Sequence, residues 1–115
     1  MSARPPPRAL PAPAPVEATR DEDLAAESRL VDTARSALAH GDYAAALVAV
    51  TNHERRFPHG RLAEEREALQ IQALAGAHQD SEARTRAEAF RARYPDSFFL
   101  PLVNRALTST SARER

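Results

Sequence analysis

His53-Glu54-Arg55-Arg56-Phe57 opens like the helical motif of zinc hydrolases, in which two imidazoles four residues apart share one helix face. The second ligand position holds Phe57, so that chemistry fails. His40 and His78 fall at the ends of helical segments, where an imidazole complements the negative helix terminus. His59 lies in a turn on a different element from His53. A metal needs at least three converging donors, and this spacing supplies none, so neither a metal nor a cofactor is expected. The chain has no cysteine, which excludes thiolate nucleophiles, thiolate metal sites and disulfides. Gly41, Gly60 and Gly76 stand too far apart to build a phosphate loop, and no G-x-S-x-G elbow occurs. Glu64, Glu65 and Glu67 cluster in the opening turns of a helical segment, where the positive helix end accounts for them. The sequence therefore reads as no enzyme, with no small-molecule substrate.

Arginine is the other chemistry-bearing type. All 16 basic residues are Arg, and they balance 16 Asp and Glu, giving a formal net charge of zero. That argues against a polybasic nucleic-acid or membrane-surface protein. Arg84, Arg86, Arg91 and Arg93 nevertheless share one helical segment, where 84 with 91 and 86 with 93 stand two turns apart in rows. Asp80, Glu82 and Glu88 reduce that segment to about plus one. The rows define the alternative reading, an accessory domain that binds nucleic acid or an enzyme through its fourth helix. A solvated or partner-binding face uses the same residues more economically.

These side chains need elements to position them. Six of the nine prolines lie in the first fifteen residues, so residues 1–20 read as a disordered Pro/Ala-rich arm. From Asp21 the composition turns to Ala, Leu, Glu and Arg, and residues 21–107 read as one helical domain. Thr19 with Glu22, or Asp21, caps a first helix, whose Leu24, Val31, Ala34 and Leu38 share a face that ends at Gly41. Asp42 caps a second helix that Pro58 stops. A third spans Leu62 to about Ala77. Asp80 or Ser81 caps a fourth, ended by Pro95. Ser97 to Leu107 forms a short closing helix, with Phe98, Leu100, Leu102, Val103 and Leu107 covering the open end, and residues 108–115 read as a disordered tail. No apolar run approaches the roughly 20 residues of a membrane span. Of 49 hydrophobic residues 25 are Ala, so the core must be thin.

A shift of 37 residues places Gly41 on His78, Ala46 on Ala83, Val50 on Ala87, His53 on Phe90 and Phe57-Pro58 on Tyr94-Pro95. One unit is a helical hairpin, and tandem hairpins make a solenoid. Gly41, Tyr43, Ala46-Leu47, Val50 and Pro58 resemble the tetratricopeptide repeat. The second unit keeps Ala83, Ala87 and Pro95 but carries His78 at the turn and is about three residues longer than the usual unit. The ends Phe57-Pro58-His59-Gly60 and Tyr94-Pro95-Asp96-Ser97 look like the divergent repeats of bacterial envelope proteins, of the outer-membrane assembly lipoprotein and TolA-binding type.

The resemblance implies an all-α fold of two hairpins plus a capping helix, acting as a protein-binding scaffold. In such solenoids the first helices line a concave surface, which places Arg35, Gln70 and Gln72, together with Arg84 and Arg91, as candidates to meet a protein or extended peptide. Two units fall short of the about three that a solenoid needs alone, so self-association is expected as well. A C-terminal portion of a longer envelope-anchored protein fits this reading, with the arm as spacer. Compartment is left open by the residues.

Overall fold

The structure, a computed structural model, describes the backbone of residues 13–114 and the side chains of residues 20–112. The described chain is all-helical: α1 (Pro13–Ala39), α2 (Tyr43–Arg56), α3 (Ala63–Gly76), α4 (Asp80–Arg93) and α5 (Leu100–Glu114). α3 is central. It packs against the other four helices, α1 also packs on α2 and α4 on α5, whereas among the described residues α2 and α4 are not in contact. No described helix is long and apolar enough to cross a membrane.

The start of α1 and both ends of α5 differ from the sequence reading. α1 begins at Pro13, so residues 13–20 of the expected arm are helical, and Thr19 and Asp21 lie within the helix instead of capping it. Pro13 and Pro15 fall in its first turn, where backbone amides have no intrahelical acceptor and proline is tolerated. The rest of the expected arm, residues 1–12, lies outside the described residues. α5 opens at Leu100 instead of Ser97 and runs on to Glu114, so residues 108–114 of the expected tail are helical, and Arg115 lies outside the described residues. Thr110 is fully buried there, its Oγ1 donating to Leu107 O at 2.8 Å, so a polar residue closes a packed seam.

The turns repeat at the 37-residue spacing. Gly41 (φ 73°) and His78 (φ 64°) both adopt the left-handed conformation. The next residues, Asp42 (φ −90°, ψ 78°) and Gln79 (φ −93°, ψ 64°), precede α2 and α4, and Phe57 (φ −136°, ψ 63°) and Tyr94 (φ −126°, ψ 65°) terminate them. Asp42 Oδ1 accepts from the Ala45 amide at 3.1 Å, as a cap should. Neither Asp80 nor Ser81 caps α4: the cap position is Gln79, whose side chain makes no capping bond.

The core is thin and alanine-rich. Val31, Ala34, Ala49, Val50 and Leu69 join α1, α2 and α3; Ala68, Ile71, Ala87, Phe90 and Val103 join α3, α4 and α5. Ala34, Ala46, Ala73, Ala83 and Ala87 are all fully buried, and their small side chains let helix backbones approach. Phe57 and Tyr94 are half-buried wedges. Of the five residues expected to cover the open end, Val103 is buried and Leu100 and Leu107 pack on the Phe90 cluster, but Phe98 (86 % exposed) and Leu102 (39 %) face outward.

Candidate interaction groove

α1, α2 and α3 are pinned together by a buried polar chain. Glu27 on α1 accepts from the amides of Arg61 (3.3 Å) and Leu62 (3.1 Å) just before α3, and from His53 Nε2 on α2 at 2.9 Å. Arg66 Nη1 on α3 donates to His53 Nδ1 and to Phe57 O, each at 3.2 Å. Arginine can only donate, so Nδ1 is the acceptor and the imidazole proton sits on Nε2, facing Glu27. An added Cβ at Gly60 would overlap the Glu27 carboxylate, and this is why a glycine stands there. The three polar side chains are nearly inaccessible, and their hydrogen bonds fix how the three helices sit against one another.

With those helices fixed, a groove of about 540 Å³ opens over α3 between α1 and α5. Its floor is Ala68, Leu69 and Ala75, its α5 wall includes Leu102 and Ala106, and the Tyr43 ring, lying against Gly76, closes one end. Polar groups form the rim. Arg35 donates to Asp32 Oδ1 at 2.7 Å and, through Nε and Nη2, to Glu65 Oε2. The Glu65 hydrogen bond, opposed by partial burial, raises the Arg35 pKa above its ordinary value. Arg105 on the opposite wall has no ion-pair or hydrogen-bond partner among the described residues.

The five surface residues singled out from sequence do not form one patch. Arg35 and Gln72 line the groove together. Gln70 precedes Gln72 by two residues, about 200° around the helix, and faces the opposite side of α3, where its Oε1 accepts from Arg86 Nη1 at 3.2 Å. Arg91 points to α5 and donates to Asn104 Oδ1 at 2.7 Å and 3.3 Å. Arg84, half-exposed and itself engaged, lines neither side of α3. Of the arginine rows of α4, Arg86 and Arg93 stay together on one side of α3, Arg86 on Glu82 (3.2 Å) and Arg93 on Glu67 (3.1 Å), whereas Arg84 and Arg91 share no cleft.

The three glutamates of α3 do more than complement a helix end. Glu64 accepts from Ser97 Oγ at 2.6 Å, Glu65 holds Arg35 and Glu67 holds Arg93, so each ties α3 to a different segment. Among the described residues no cluster of three or more His, Asp or Glu could hold a metal. Sequence reasoning missed Glu27, Arg66 and Arg105, and placed Tyr43 on the second helix without its role at the groove. The 37-residue shift carried a usable signal for the first two: it sets Glu27 on Glu64 and Arg66 on Val103.

Compared with protein-family models, curated proteins and solved structures, the chain matches none.

Proposed function

We propose that the chain is a non-catalytic protein-binding scaffold of two tetratricopeptide-like hairpins, α1–α2 and α3–α4, closed by α5. The groove over α3 receives an extended peptide or helix of a protein partner. The observation that carries this reading is the composition of the groove wall, drawn from α1, α3 and α5, the first helix of each successive unit, with an apolar floor and a charged rim. Two features support it: the contacts of α1 with α3 and of α3 with α5 recur in step, and α5 starts at Leu100, 37 residues after α3 starts at Ala63.

The test uses peptides selected from a random library against the full chain, with binding mapped by amide NMR. Perturbations should concentrate at Gln72, Arg105 and Ala106, and Leu102→Asp, at a partly exposed wall position, should weaken binding at least about tenfold. Perturbations confined to the outer faces of α2 or α4, or no selectable peptide, would overturn the reading.

A further inference from the structure

On the side of α3 away from the groove lies a second cleft, of about 710 Å³, bounded by α3, α4 and the turn after α2. Arg66, Arg86 and Arg93 line it, together with the carboxylates of Glu54 and Glu67 and the amide of Gln70. Its ionised groups therefore sum to plus one, from three arginines and two glutamates.

Arg66 is the unusual member. It is only 5 % exposed, its Nη1 is spent on His53 and Phe57, and its Nε is buried with no hydrogen-bond partner among the described residues. A guanidinium is a rigid fork of donors suited to two oxygens at once, and the fold occupies one corner of this one. The carboxylate buried with it, Glu27, already accepts three hydrogen bonds, from two amides and the imidazole. Arg86 and Arg93 differ in kind. Their side chains are 41 % and 61 % exposed, and their ion pairs with Glu82 and Glu67 are of the sort that exchange readily, with Arg86 held in addition by Gln70 Oε1 at 3.2 Å. The cleft thus joins one cation locked in place and short of a partner to two that can swing.

We propose that this cleft is an oxyanion site, taking the carboxylate or phosphate group of a small molecule, with Arg66 as the buried anchor and Arg86 as the exchangeable second donor. The site lies across α3 from the peptide groove and shares none of its test residues, so either proposal can fail without the other.

The test titrates the full chain with sodium phosphate, sodium sulfate or sodium acetate at an ionic strength held constant with sodium chloride. Arginine Nε–Hε resonances are followed by NMR. Arg66 and Arg86 should shift along a saturable curve. Arg86→Gln should weaken that binding at least about threefold, and Glu54→Gln, which removes a like charge from the cleft, should tighten it. Both substitutions sit on accessible surface, and helical circular dichroism checks that the fold is kept. Preference for phosphate and sulfate identifies a phosphate-type ligand, and preference for acetate a carboxylate. Shifts linear in salt and common to all arginines would overturn the proposal, as would saturable shifts indifferent to both substitutions.

Discussion

Glu27, His53 and Arg66 are buried together at a desolvation cost that is recovered only while each keeps its partners. The second unit keeps the carboxylate, Glu64, but replaces the other two members: 37 residues beyond His53 and Arg66 stand Phe90 and Val103, in one apolar cluster. His53→Phe alone removes the acceptor for Arg66 and a donor to Glu27, and should cost about 2–4 kcal/mol in urea unfolding. His53→Phe with Arg66→Val leaves Glu27 on its two amides and should recover to within about 1 kcal/mol of the parent. A double variant no more stable than the single would show that the imidazole works alone. Tyr94 gives a second prediction at this scale. Burial first, then Glu67, hold its phenol above the ordinary value of 10.0. The folded chain binds that proton more tightly, so the stabilisation is complete below the unfolded pKa and is lost as pH rises through the folded one. In a Tyr43→Phe background the phenolate absorbance should appear above pH 10.0 and move down on Glu67→Gln. An unmoved curve would assign the shift to burial alone.

Between helices, one carboxylate position meets two different turns. Glu27 reaches the amides of Arg61 and Leu62 because Gly60 has no side chain, whereas Glu64, 37 residues on, meets Ser97 and bonds its hydroxyl, which in turn accepts from the Phe99 amide at 3.0 Å. Gly60→Ser should therefore push Glu27 off its amides and destabilise by about 1–3 kcal/mol, read as a lower urea midpoint. The other turn is strained in the opposite sense. His78 carries a side chain at φ 64° where Gly41 carries none, so His78→Gly should stabilise by about 0.5–1 kcal/mol and Gly41→Ala should destabilise by about 1 kcal/mol. Gly41, Asp42, Phe57-Pro58 and Tyr94-Pro95 were legible in the sequence because each acts on its own backbone. The ends of α1 and α5 were not: proline opens a helix as readily as it marks a linker, and serine and threonine can return their hydroxyls to the helix, as Thr108 does to Asn104 O. The polar chain was hidden for another reason. Glu27 lies 26 residues from His53 and 35 from Leu62, and only the packing of α1 brings them together. For the same reason Arg35 and Gln72 were found without the groove that joins them.

Across the whole molecule, the faces that receive a following helix change character from one unit to the next. α3 accepts α4 through Ile71, Leu74 and Ala75, packed against Ala83, Ala87 and Phe90. The corresponding positions of α5, 37 residues on, are Thr108, Ser111 and Ala112, all exposed. A polar outer face is what a terminal repeat needs, since an apolar one would go on stacking. In the proposed stack of hairpins this polar face of α5 would end the packing of helices, while its other wall, at Leu102 and Ala106, is open to the groove. Restoring the inner pattern should reverse this. The double substitution Thr108→Ile with Ser111→Leu reproduces the residue types of Ile71 and Leu74 and lays an apolar ridge along α5, to which a second copy can add. Sedimentation velocity over a concentration series should show the variant associating at least about tenfold more tightly than the parent, the equivalent of about 1.4 kcal/mol. Equal association of the two chains would mean that the polar residues of α5 do not set where the stack stops.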